Sequence, residues 1–169
     1  MLLTNAELVA RSRGAGERVI AASDFFLGFF ETALEADELL VELRIPAWPL
    51  RTGAAFDELA RRHGDFALVG AGAVVGLDDD GTVRDARLAF TGVAATPVRA
   101  ATAEAVLVGS APTPDAIAAA VDAVRNELAP SDDLHATAAY RRHVSGVLAG
   151  RVLRDAIARA AADGAGGAT

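Results

Sequence analysis

The chemistry-bearing residues of this 169-residue chain concentrate in one short stretch, Arg61-Arg62-His63-Gly64-Asp65-Phe66-Ala67. It combines a tight turn, a carboxylate, an aromatic ring and three basic or titratable side chains. Glycine lets a backbone approach a planar ligand closely. Asp65 could accept a hydrogen bond from a ring N–H, and Phe66 could cover the ring with its own. The bland alternative is a Gly-Asp turn in which Phe66 begins the core of the next strand.

Other candidate motifs fall away on spacing. Gly70-Ala71-Gly72-Ala73-Val74-Val75-Gly76 approaches a dinucleotide fingerprint, but that pattern needs its third glycine where Val75 stands and must open a helix. Here the glycines lie within a strand, and we expect them to let helices pack closely on the sheet. Asp78-Asp79-Asp80-Gly81 lacks the alternation and distal glutamate of a calcium loop and reads as a turn. His135 and His143 fall on one predicted helix, two turns and about 12 Å apart, too far to share a metal. No serine sits in a nucleophile elbow. Phe25, Phe26, Phe29 and Phe30 have helical spacing and read as core rather than a cofactor box. We therefore expect no catalytic residue and no metal site in this chain.

Composition narrows the partners. A net charge of −7 and a pI near 4.9 argue against nucleic acid. All sixteen cations are arginine, which excludes a lysine Schiff base. The chain has no cysteine, which removes disulfides and thiolate ligands and fits a cytoplasmic location. No apolar run reaches the length of a membrane span, and the first residues do not form a signal peptide.

The elements that must hold the loop are legible from periodicity and turn chemistry. Residues 7–12 and 18–21 form a hairpin, which needs a further strand to be stable. Ser23 is expected to cap a short helix carrying the phenylalanines, and residues 38–45 form a third strand closed by Pro46. A linker from Pro46 to Arg51 leads into strands at 54–59, 66–77 and 83–91, an antiparallel meander. Thr96-Pro97 and Thr113-Pro114 place a capping hydroxyl before proline at two expected helix starts. A last, long helix begins near His135 with Tyr140, Val144, Val147, Leu148 and Val152 on one stripe. The fold class is α+β: a three-stranded antiparallel sheet packed against a three-helix bundle.

Read in order, Ser23-Asp24-Phe25-Phe26, Gly28, Thr32, Glu38-Leu39-Leu40, Ile45-Pro46, the 61–67 stretch, Thr91-Gly92-Val93-Ala94, Thr96-Pro97 and Tyr140-Arg141-Arg142 are similar to the FAD-binding (medium) subunit of molybdenum hydroxylases. The likeness is closest to the medium subunit of aerobic carbon monoxide dehydrogenase, within the xanthine dehydrogenase family. It implies a remnant of the α/β FAD-binding subdomain at residues 1–46, a CO dehydrogenase flavoprotein C-terminal-like domain at 51–163, and a flexible tail at 164–169. It implies FAD as cofactor, with Arg62, His63, Gly64, Asp65 and Phe66 as cofactor-binding residues beside the isoalloxazine ring. The implied function is to cover the flavin that passes electrons from 2Fe-2S clusters to an acceptor. The implied partners are a 2Fe-2S small subunit and a molybdopterin large subunit. Family members carry two glycine-rich stretches upstream of anything present here. The resemblance thus implies an N-terminally truncated or late-started chain that does not hold FAD tightly alone, with an open sheet edge that favours a homo-oligomer. A flavin-free α+β interaction module is the alternative reading.

Overall fold

The computed structural model describes residues 1–62 and 64–166, the last two by their backbone alone. The chain divides into two compact units, Met1–Ala47 and Trp48 onward.

In the first unit, β1 (Glu7–Ser12) pairs antiparallel with β2 (Gly16–Ala21) on one side and with β5 (Leu39–Arg44) on the other. The hairpin thus finds the third strand it needs. Ala6, Leu8, Ala10, Ile20, Ala22 and Phe25 form its small core. All of β5 is exposed, with Leu39 at 72% and Leu40, Val41 and Leu43 above 40%. That is unusual for an apolar strand, whose alternate residues normally face a covered side.

The phenylalanine cluster departs from the expected helix. Helix α1 (Ala22–Phe25) lasts one turn, and Ser23 lies inside it rather than capping it. The chain then forms a small hairpin of β3 (Phe26–Gly28) and β4 (Glu31–Thr32). Phe25 is buried and Phe26 stacks on it edge-to-face at 5.2 Å, so those two are core. Phe29 and Phe30 stand in solvent, Phe30 with φ of 58° at the turn. Turn formation overrode the apparent helical period.

The second unit is a meander of β6 (Thr52–Ala60), β7 (Ala67–Leu77) and β8 (Val83–Thr91), extended by the two-residue β9 (Val98–Arg99). Helices α2 (Ala101–Leu107), α3 (Pro114–Glu127) and α4 (Ala138–Gly166) follow it. Val69, Ala71, Ala73, Val75 and Leu77 of β7 meet Ala149, Val152, Leu153 and Ala156 of α4 in the main core. Thr113 caps α3 by accepting from the Ala116 N–H at 3.2 Å, with Pro114 at the first helical position, as its sequence predicts. Thr96-Pro97 does not cap a helix. Those residues precede β9, and α2 starts at Ala101 without a side-chain cap. His135 lies before α4, so it shares no helix with His143; its N–H donates to Asp133. Residues 167–169 of the expected tail lie outside the described residues, and α4 continues to Gly166.

The strand glycines have a different purpose from the one expected. Gly70, Gly72 and Gly76 pair with Glu58, Phe56 and Thr52, the register opposite to the core-facing Ala55, Ala73 and Val75. A Cβ at Gly70 would meet the Phe56 ring and the Thr91 hydroxyl, and one at Gly76 the Arg84 guanidinium. Cross-strand side chains therefore fold over Gly70 and Gly76 on the face away from the helices, as aromatic cover does for strand glycine. Close helix packing falls instead to Gly53, where a Cβ would lie 2.1 Å from the Ala156 carbonyl oxygen.

Among the described residues no helix is long and apolar enough to cross a membrane.

Candidate functional site

Six residues connect β6 to β7, and the ladder closes behind them at Ala60 and Ala67. The turn is made by the Asp65 N–H donating to the Arg62 carbonyl at 3.2 Å and by Gly64 at φ of 78°. Open space surrounds the position where a Gly64 Cβ would sit, so a flat group can approach this backbone. Phe66 is 94% exposed, which decides against its reading as the first core residue of β7. Val69 takes that role.

Asp65 is already at work inside the loop. Its Oδ1 accepts from the Phe66 N–H at 3.0 Å, and its Oδ2 lies 3.5 Å from both Arg61 Nη2 and Arg62 Nε. The structure therefore brings Arg61, Arg62, Asp65 and Phe66 together around one carboxylate. A carboxylate has about four lone-pair sites, so Asp65 retains capacity for one more donor. His63 lies outside the described residues.

The loop stands on a buried polar node that sequence reasoning did not single out as such. Leu59 pairs with Val69 and Ala60 with Ala67, which leaves Leu68 as an unpaired bulge residue. Beside it, Gly92 has φ of 76°, and a Cβ there would lie 2.3 Å from the Leu68 carbonyl oxygen. Arg141 of α4, 6% exposed, donates through Nη1 to the Leu68 and Gly92 carbonyls and through Nη2 to Asp133 at 2.6 Å. The Arg141 guanidinium and the N–H groups of Ala136 and His135 hold the Asp133 carboxyl well below the usual carboxylate range. The available signal was positional. Arg141, Val144, Ser145, Leu148 and Val152 are among the residues on the buried stripe of α4, whereas Tyr140 and Val147 are exposed. An arginine on a buried stripe requires partners.

A separate open groove of about 580 Å³ lies between α3 and α4, lined by Ile117, Val121, Val147, Arg154 and Ile157 among others. None of the loop residues lines it.

Residues 54–156, containing the loop, the node and the helices, match the family described as the CO dehydrogenase flavoprotein C-terminal domain. This chain belongs to the CO dehydrogenase flavoprotein C-terminal domain family. Residues 1–48 of this family member also match the FAD binding domain in molybdopterin dehydrogenase. It is 40% identical over 146 residues to the carbon monoxide dehydrogenase medium chain of Hydrogenophaga pseudoflava, covering 86% of this chain and 50% of that one. It is 37% identical over 160 residues to the 6-hydroxypseudooxynicotine dehydrogenase complex subunit alpha of Paenarthrobacter nicotinovorans, covering 95% of this chain and 54% of the relative. The fold matches carbon monoxide dehydrogenase from Hydrogenophaga pseudoflava at a TM-score of 0.87 and 39% identity, over 94% of this chain and 54% of that one. Quinoline 2-oxidoreductase from Pseudomonas putida 86 matches at 0.85 and 34%, over 95% and 55%. The chain spans about half the length of the curated relatives it matches.

Proposed function

We propose that this chain forms part of the FAD subunit of a molybdenum hydroxylase, where its β6–β7 loop covers one face of the flavin ring. The observation that carries the reading is the exposed Phe66 beside the open, left-handed Gly64 backbone in the loop between β6 and β7 of the meander. A flat, partly apolar ring system fits such a platform, and these residues can supply a stacking surface, a close backbone approach and one acceptor. In this proposal Gly64 and Phe66 lie against the ring. Asp65 accepts from a ring N–H, and Arg61 and Arg62 balance its charge. FAD, when bound, supplies electron transfer between a 2Fe-2S small subunit and an external acceptor, with substrate oxidation on a molybdopterin large subunit. The chain's own residues bind, orient and shield the ring. The absence of cysteine fits work in the reducing cytoplasm.

One face of one ring is a small fraction of the surface that a ligand site normally buries, so FAD binding by these 169 residues alone is expected to be weak. Titrating FAD into the purified chain and following flavin fluorescence tests this. Saturable, weak quenching that Phe66→Ala abolishes is expected. A dissociation constant tighter than about 1 μM would overturn the expectation of weakness, and quenching indifferent to Phe66→Ala would overturn the loop assignment. Co-purification with iron–sulfur and molybdenum subunits from the native host tests the assembly.

A further inference from the structure

We propose that Arg141 is the positioning residue of this site, the group that sets the aim of the Arg61–Phe66 loop from the far side of the sheet edge. The proposal rests on the flavin-facing reading of that loop.

The geometry begins with the bulge. Skipping Leu68 in the β6–β7 register re-aims the chain immediately before it, which is where Asp65 and Phe66 sit. A bulge also frees a backbone carbonyl from the ladder, and a buried carbonyl needs a donor. Arg141 Nη1 supplies it at 2.5 Å and bonds the Gly92 carbonyl at 2.8 Å. Gly92 is the residue whose left-handed backbone admits the Leu68 oxygen so closely. One guanidinium thereby ties together the start of β7 and the end of β8. These are the two strand ends that carry the 61–66 loop and the segment from Gly92 to Pro97.

Two features argue that the fork is chosen for this contact. Arg141 Nε is buried and has no partner among the described residues, so the guanidinium satisfies the two carbonyls and Asp133 at the expense of its own third donor group. Helix α4 is anchored around it as well: the Arg141 N–H donates to Thr137, its carbonyl accepts from Ser145 Oγ, and Asp133 binds the N–H groups of His135 and Ala136. Arginine's planar fork spans acceptors on diverging elements in a way that a lysine ammonium does not. Arg141 therefore transmits the placement of α4 to the loop without touching any ligand itself.

The test uses hydrogen exchange read by mass spectrometry on the full chain, comparing Arg141→Lys, Arg141→Met and the core variant Val152→Ala at urea concentrations that equalise their global stability. We expect exchange at residues 64–68 and 92–96 to speed up about tenfold in both Arg141 variants, as loss of a charge-assisted hydrogen bond to each carbonyl requires, but not in Val152→Ala. A merely structural role would give all three variants the same loop exchange at matched stability, and that result would overturn the proposal. Unchanged loop exchange in Arg141→Lys, which retains a cation for Asp133, would overturn it too. FAD added to the same samples reports separately. If the parent chain quenches no flavin fluorescence, the flavin reading fails while the exchange comparison still decides the role of Arg141.

Discussion

Replacing Gly53 with alanine adds one methyl group where β6 packs directly against the backbone of α4. Gly53 faces α4 from β6, opposite Val75, and the new Cβ would lie 2.1 Å from the Ala156 oxygen, 2.5 Å from the Ala160 nitrogen and 2.9 Å from the Arg159 Cβ. Real Cβ contacts do not fall below 3.0 Å, so α4 and β6 must separate by at least the missing 0.9 Å along that direction. The two nearest atoms are backbone, so no rotamer change relieves the clash. Retreat would open gaps around Ala149, Val152, Leu153 and Ala156, and a gap of 0.5–1 Å already forfeits roughly a quarter to a half of each dispersion contact. Overpacking typically costs about 1–3 kcal/mol, and this site belongs at the upper end, near 3 kcal/mol. Gly109→Ala is the control: its φ is 78° with nothing within 4 Å of the added carbon, so only the backbone cost of about 1 kcal/mol applies. Urea unfolding followed by circular dichroism at the helix band reports this unit, because it holds the three long helices α2, α3 and α4, whereas the first unit has among its described residues only the short α1 and a 3-10 turn at Leu2–Thr4. The reasoning is refuted if Gly53→Ala costs no more than Gly109→Ala.

Four further outcomes are expected. In the first unit, the Arg18 guanidinium and the Glu35 N–H lower the Glu38 carboxyl to about 2, so its stabilising effect is complete above the ordinary glutamate value and fades as pH falls from about 4.5 to 2. Glu38→Gln should be less stable than the parent at neutral pH and converge with it across that window, which thermal melts at stepped pH would read. Thr113→Ala should cost about 1 kcal/mol in urea unfolding, the usual value of a side-chain N-cap. Glu104 is buried, accepts from the Leu88 N–H at 2.8 Å and holds Arg99 at 2.6 Å, so Glu104→Gln should cost about 2 kcal/mol in the same assay. Phe66→Ala should leave that unfolding midpoint unchanged, because the residue is 94% exposed, while abolishing FAD quenching; a destabilised variant would mean that the ring packs.

Much of this fold could be read from local pattern. The meander strands, the acidic Gly81 turn and the Thr113-Pro114 helix start appear where alternation and capping chemistry place them. Errors arose where local signals compete. Thr96-Pro97 has the grammar of a cap, yet tertiary pairing drew Val98-Arg99 into the sheet, with Phe90 opposite Val98. The phenylalanines at 25–30 have a helical spacing, but the chain reverses at Phe30 and leaves two of the four rings in water. For the glycines of β7, sequence marks close approach without saying from which face. Phe56 covers Gly70 and Arg84 covers Gly76 from the side away from α4.

The candidate site divides in the same way. Sequence alone determined the loop's chemistry, since turn type, charge and ring identity are properties of consecutive residues 61–66. It also determined that the chain is an arginine-only, cysteine-free acidic domain whose motifs follow a flavoprotein order. Only the tertiary structure decided that Phe66 faces solvent, because Val69 rather than Phe66 begins the buried row of β7. It alone joined Leu68, Gly92 and Arg141, which are separated by up to 73 residues in the chain. A bulge frees a carbonyl without changing any local propensity, so the donor that satisfies it can be found only once the helix has packed against the sheet.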